Sequence, residues 1–515
     1  MVELAPPASP QQAPFPAGTV MLRARAVWRL GAWPVTRKFL LVLCIVYLAK
    51  QALNVVIFPP FTGHDEVAHY AYLQTVAEEH RVPVLPDLTG WPPPNVENPA
   101  PPPGDYLPDY FYRYCLYVLY WDRCEPTNEA YLRNPFHVVF YTMGVGLKPV
   151  GYQYAATHPP LYYTLLAPLY WLSGGASPET RLYLFRFAAI PFGLLTVLLA
   201  YLTVRALFPR DTFLAITVPA YVAFQPQISY EAAMLNNDIL AIALFSWILY
   251  LLVVGIRDRF PVRTCALLGV AFGLSLLAKG TSMTAAPLIA LAIVLSVGVR
   301  NVRSWLGRGS LVAGLTIVIA WPWYLHMYRT YGNFDAFEQL QALQWWNYWG
   351  REKPGFWDLF WNQKFAVWRW RETWGEFGWR RIHLANWLLW TIAVPHLLAL
   401  VGLLVYGARE ARTWWRQRGA AAQLWRAKAI ALLVITLIVA YLAVVQFGTQ
   451  FELTQARYYF PVINALAIVV MLGWRTVIPA GWRSYGQALV LLALLLLNLV
   501  IYSGYVIPYR LGGWV

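Results

Sequence analysis

Residues able to do chemistry recur in five short stretches of this 515-residue chain. The first, FPPFTGHDEVAHYAYLQTVAEEH, sets Asp65 beside Glu66, with His69 four and three residues further on, one face of a helix. Thr62 is placed to cap that helix, and Val67, Tyr70, Ala71, Leu73 and Val76 give it an apolar stripe that would lay it along the membrane interface. Acids in a first turn either complement the helix dipole or serve as proton acceptors. Asp65 and His69 are also the two side chains that a divalent cation such as Mg or Mn would meet, but two ligands do not complete a site. A hydrogen-bonded histidine is the simpler reading, and metal dependence stays open, with no cofactor at all as the other option.

The second stretch, THPPLYYTLL, presents His158 at the start of a short helix. The third, NNDIL, puts Asn236, Asn237 and Asp238 at the entrance of an apolar segment, where they read equally as a cap. The fourth, LLAKG, holds Lys279 alone among apolar neighbours, as a snorkelling lysine or a functional one. The fifth, QARYYFP, holds Arg457 with Tyr458 and Tyr459. Lys and Arg hold phosphate by charge-assisted hydrogen bonds while a carboxylate accepts a proton, so this set suits displacement of an anionic leaving group.

The elements that carry these residues follow from composition. Hydrophobic residues make up 59% of the chain and charged residues only 13%, with a mean hydropathy of +0.45, which excludes a water-soluble globule. Apolar blocks long enough to cross about 30 Å of hydrocarbon run near 39–58, 183–208, 212–230, 237–255, 264–278, 282–299, 310–328, 384–406, 429–447, 458–473 and 485–507. The expected fold is an all-α polytopic membrane protein with about eleven transmembrane helices, within a range of eleven to thirteen. Residues 1–38 form a basic tail before a membrane domain spanning 39–515. The net charge of +15 sorts loops rather than binding nucleic acid.

Residues 158–174 are apolar enough to be a twelfth span but short and divided by Pro168. If they do not cross, 21 of the 40 basic residues fall in the tail and short loops on one side, which is then cytoplasmic. If they cross, every later loop inverts. The segment is therefore expected as a juxtamembrane or re-entrant helix on the non-cytoplasmic face. Two long segments share that face, 59–182 and the tryptophan-rich 329–383. Residues 59–157 of the first carry eleven acids against five bases. Cys44 and Cys265 lie in apolar blocks, whereas Cys115 and Cys124 share the first outer loop, where a bridge is one option.

With Asp65–Glu66, HPPLYY, NNDIL, LLAKG, TWGEFGW and QARYYFP in this order, the chain resembles the GT-C superfamily of integral-membrane glycosyltransferases, in particular protein O-mannosyltransferases and lipid A aminoarabinose transferases. The resemblance runs from about Val42 to Pro508. It implies a polyprenyl-phosphate-linked sugar as donor and transfer with inversion on the extracytoplasmic face of a prokaryotic cell membrane. The acceptor is a protein, a lipid or a glycan. Carried over by motif, Asp65 is the general base, Glu66 its support and Asp238 a second carboxylate near the reaction centre. His158, Lys279, Arg457 and Tyr459 are the donor-phosphate ligands. His158 stands where relatives carry a lysine, so its role needs a protonated or hydrogen-bonding imidazole. The nine tryptophans between Trp345 and Trp379 stack on sugar, form a lid or make an interfacial belt. The alternative is a transporter or flippase of a lipid phosphate that binds with the same cations and needs no base. No internal repeat supports it.

Overall fold

The computed structural model of the chain describes residues 34–96, 100–108, 140–142, 146–148, 151–343, 352–416, 421–452 and 454–511. The basic residues Arg23, Arg25 and Arg29, both outer-loop cysteines, and Trp345, Trp346 and Trp349 lie outside them.

The protein is an all-α polytopic membrane protein. Nine of its described helical segments are long and apolar enough to cross a membrane: Val35–Ile57, Pro178–Leu207, Asp238–Asp258, Gly280–Val297, Val302–Tyr331, Asn386–Arg416, Leu424–Gly448, Ala456–Val477 and Ala480–Tyr509. Two expected spans are shorter apolar helices, Thr212–Phe224 and Val262–Ala278. At 1.5 Å per residue the first covers only about 20 Å. It does not run on to Tyr230, as the hydropathy suggested, because Gln225 caps a second helix, Pro226–Glu231, whose first residue is a proline. The apolar block is two helices in series. A short antiparallel ribbon, Phe140–Thr142 with Gly146–Lys148, accompanies them.

The segment in dispute, Leu161–Leu172, is a helix of 12 residues, about 18 Å, shorter than the hydrocarbon thickness of about 30 Å. It packs against Glu66–Glu79. That helix was expected to lie along the interface on one apolar stripe; instead residues from Glu66 to Leu73 are all buried.

The Asp238–Asp258 helix is the axis of the bundle, in contact with Pro178–Leu207, Val262–Ala278, Ala285–Val297, Ala421–Gly448 and the 3₁₀ turn Ala456–Val462. The Ile463–Val477 helix is pressed against Asn386–Arg416 where Gly473 and Gly402 meet. A Cβ on Gly473 would overlap the Ala399 carbonyl, and one on Gly402 the Gly473 carbonyl. Small residues let the two backbones approach. Arg457 lies in the 3₁₀ turn Ala456–Val462 that leads into the Ile463–Val477 helix.

The segment 352–383 is also built. Helices Phe356–Phe360, Gln363–Trp374 and Phe377–Arg380 lead into Ile382–His383, which bridges back to Glu376 and Phe377. Gln227 ties it down: its amide donates to the Glu376 carbonyl at 3.1 Å, and its Oε1 accepts from the Glu376 N–H at 2.8 Å.

Candidate active site

Asp65 occupies a left-handed backbone conformation, φ 57° and ψ 14°, at the start of its helix, and its side chain caps nothing. Thr62 does not cap either; its hydroxyl donates to the Pro59 carbonyl at 2.7 Å. A non-glycine residue held there costs free energy, as constrained functional positions do. The turn aims the carboxylate into the bundle, where it accepts from Arg457 and, at 3.0 Å on Oδ1, from the Tyr154 hydroxyl.

Glu66 points elsewhere. Its carboxylate is fully buried and takes a bidentate pair from Arg186, with Nε to Oε1 at 2.8 Å and a terminal nitrogen to Oε2 at 2.5 Å, plus the N–H groups of Gly63 and Leu235. Arg186 also donates to the carbonyls of Val55, Phe58 and Pro59, where the first span ends. Glu66 therefore fixes the turn that presents Asp65 and makes no contact of its own with the Asp65 carboxylate.

The NND triplet divides its work. Asn236 Oδ1 accepts from the Ile239 N–H at 3.3 Å and Asn237 donates to the Ala278 carbonyl at 2.9 Å. Asp238 is left to meet Lys279, which forms an ion pair with Oδ1. Lys279 stands at the end of Val262–Ala278, its side chain buried. Arg457 bridges the acids, in contact with Asp65 and with a terminal nitrogen 3.5 Å from Asp238 Oδ2. Four side chains from four elements thus converge at one end of the bundle. Formally they are two carboxylates against two cations, so the cations are neutralised by the protein itself.

Two histidines close one side. His69 Nδ1 lies 2.7 Å from the Tyr163 hydroxyl, and its ring stacks on His158 with centroids 5.7 Å apart. Burial, opposed by Asp65, brings His69 down to about 4. Burial and then Lys279 hold His158 well below its ordinary value. Both imidazoles are therefore held toward the neutral form in the ligand-free protein. For Asp65, burial raises the pKa, but Arg457 and His69 more than offset it and keep the carboxyl well below the usual range. Asp65 and His69 do not form a metal site as they stand, with Asp65 taken by Arg457 and Tyr154 and His69 Nδ1 by Tyr163. Among the described residues no group of three His, Cys, Asp or Glu is arranged for one.

Tyr459, expected with the phosphate ligands, is replaced on the cluster by its neighbour. The Tyr458 ring lies 5.1 Å from Lys279 Nζ and 5.6 Å from the Arg457 guanidinium carbon. Sequence reasoning missed His64, Glu231, Glu372 and Glu376, which line a recess together with Arg457. His64 and Glu376 stand in the HDE and GEFGW motifs, whereas Glu231 and Glu372 lie outside them. Of the tryptophans, Trp374 is buried against His396, whereas Trp357, Trp361 and Trp368 are exposed.

Residues 157–324, which include His158, Asp238 and Lys279, match the model of a family described as dolichyl-phosphate-mannose-protein mannosyltransferase. Among solved structures, ArnT from Cupriavidus metallidurans bound to undecaprenyl phosphate is 17% identical, over 64% of this chain and 53% of that one, with a TM-score of 0.36. The Archaeoglobus fulgidus oligosaccharyltransferase in its apo form is 15% identical, over 92% and 55%, with a TM-score of 0.48. The archaeal oligosaccharyltransferase AglB from Archaeoglobus fulgidus in complex with an inhibitory peptide and a dolichol-phosphate is 15% identical, over 88% and 55%, with a TM-score of 0.45. This chain thus spans about half the length of the solved proteins it matches. No curated protein matches. The GT-C resemblance read from the motifs is met by the family model over its segment.

Proposed function

We propose that this GT-C-type membrane protein is a glycosyltransferase that moves a sugar from a polyprenyl-phosphate donor to an acceptor hydroxyl on the extracytoplasmic face, with inversion. The observation that carries the reading is the meeting of Asp65, Asp238, Lys279 and Arg457 at one end of the bundle, each from a different element.

The chemistry follows from that arrangement. The donor phosphate competes with the carboxylates for Lys279 and Arg457, both of which offer charge-assisted hydrogen bonds. Once Arg457 turns to phosphate, Asp65 loses the partner that suppresses its basicity. Asp65 then takes the proton of the acceptor hydroxyl as its oxygen attacks the anomeric carbon on the face opposite the phosphate. The carbon–oxygen bond to phosphate breaks, and its electron pair leaves with the polyprenyl phosphate, whose charge the two cations stabilise. The product is a glycoside of opposite anomeric configuration, and Asp65 returns its proton to water. Asp238 orients Lys279 and Arg457. His158 offers the phosphate one N–H. No step is routed through a metal ion.

The test is single-turnover transfer from polyprenyl-phosphate sugars to acceptor by the purified protein, with nuclear magnetic resonance of the product. Formation of the inverted glycoside by the wild type and its loss in Asp65→Asn support the reading. Binding and translocation of the lipid without any glycoside would favour a flippase instead.

A further inference from the structure

Arg457 contacts the Asp65–Asp238 cluster and also lines a narrow recess with His64, Gln227, Glu231, Glu372, Glu376 and Gln455. The acids of this recess differ in how far the protein satisfies them. Glu231 accepts from Gln227 at 3.2 Å and Asn236 at 3.1 Å and lies 2.7 Å from His64 Nδ1. Glu372 is filled by Arg369 at 2.8 Å, Arg380 at 2.6 Å and the Ala456 N–H at 2.7 Å. Glu376 is only half filled: Oε2 accepts from Arg380 at 2.8 Å, while Oε1 accepts no hydrogen bond, with His383 Nδ1 at 3.6 Å. Gln455 Oε1 is the second acceptor left without a donor. Glu376 is 2% exposed and Gln455 5% exposed.

Buried acceptors without donors carry a desolvation cost that a suitable partner removes. Both residues line the same recess as Arg457, the cation proposed to hold the donor phosphate, and both open acceptors require a group that donates. A sugar hydroxyl does so. A carboxylate on the sugar would meet Glu376 with like charge and leave Gln455 unsatisfied. Because the recess is narrow, it suits the hydroxyl edge of a ring rather than the whole ring.

We propose that this recess is a sugar-hydroxyl subsite: Glu376 and Gln455 accept hydrogen bonds from the ring of the lipid-linked donor, and so select an uncharged, hydroxyl-bearing sugar over an acidic one. The inference rests on the glycosyl-transfer reading for its orientation, but it can be read by binding alone.

The experiment measures affinities of the full chain in detergent for polyprenyl-phosphate mannose, polyprenyl-phosphate mannuronate and bare polyprenyl phosphate, in wild type, Glu376→Gln and Gln455→Met. The wild type should bind the mannose lipid more tightly than the bare phosphate and the mannuronate lipid less tightly than the mannose lipid. Each variant should narrow the mannose-over-phosphate ratio about tenfold or more, as expected for a lost hydrogen bond to a charged or buried partner. Affinity for the bare phosphate should be unchanged, and Glu376→Gln should improve the relative standing of the mannuronate lipid. If Glu376→Gln does not fold, as judged by thermal unfolding, Gln455→Met carries the test. A wild type indifferent to the sugar, or variants that weaken all three lipids equally, would overturn the proposal. A wild type that shows the preference yet makes no glycoside sinks the transferase reading and leaves the subsite standing.

Discussion

Asp65 meets an incoming donor as a carboxylate already claimed by Arg457, and this shapes its expected pH behaviour. Its pKa lies well below the ordinary carboxylate range, so in the free protein it stays charged into strong acid. The acid limb of kcat/KM, which reports the free enzyme, should therefore fall below the usual aspartate value of about 3.9. The limb of kcat should stand higher, because phosphate draws Arg457 away in the complex. Superimposed limbs would show that Arg457 never changes partner. Asp65→Asn, which tolerates the left-handed backbone, should lower kcat by about 10²- to 10⁴-fold with a small change in donor KM. His158→Gln, which keeps a hydrogen-bond donor, should retain more activity than His158→Ala; equal losses would argue against an imidazole donor. The motifs made Asp65, Asp238, Lys279 and Arg457 legible because each broke a local expectation, an acid pair at the end of a span or a lone cation in an apolar setting. Glu66, expected as the support of Asp65, reaches it only through the turn, and Tyr459 gives up its expected place on the cluster to Tyr458. Adjacent residues share an address in sequence, while backbone direction sends their side chains apart, so Tyr458 takes the place on the cluster and Glu66 turns to Arg186.

At the level of elements, the first turn after Val35–Ile57 is held by one fully buried ion pair, Glu66 with Arg186. Removing one partner of such a pair leaves an uncompensated charge, which costs about 3–5 kcal/mol. Arg186→Met should therefore destabilise the folded protein by about that much in detergent unfolding and lose activity through misplacement of Asp65. A variant as stable as wild type would remove the pair from its structural role. Helix existence was readable from hydropathy, but two boundaries were not. The block 212–230 has enough apolar residues to read as one span, and the break that makes two helices of it falls at Gln225–Pro226. The Glu66–Glu79 helix was placed at an interface because a single strand of sequence shows one stripe. Its second face is covered by Leu161–Leu172, a partner from 95 residues downstream that no local pattern reveals.

For the whole molecule, charge parity and the short Leu161–Leu172 helix make one joint prediction about sidedness. Single cysteines introduced at Ser177 and Thr89, in a background with Cys44, Cys115, Cys124 and Cys265 replaced, should react with an impermeant thiol reagent added outside intact cells. One at Arg412 should react only after permeabilisation. Reaction of Ser177 and Thr89 from opposite sides would mean that residues 158–174 cross after all. The ends of the bundle already differ in kind. The Arg457 end holds acids and cations in mutual contact, whereas the far end of the same helix pairs Arg475 with Asp211 and sets Arg426 on the Leu207 carbonyl. The measurement that bears most directly on the function is transfer itself: purified wild type and Asp65→Asn, each incubated with polyprenyl-phosphate sugars and a mixed pool of protein, lipid and glycan acceptors, with mass analysis of every product. A new glycoside from the wild type, absent with Asp65→Asn although that variant still binds the donor lipid, is the expected result. A glycoside formed equally by both proteins, or by neither while the lipid is bound and moved, would contradict it.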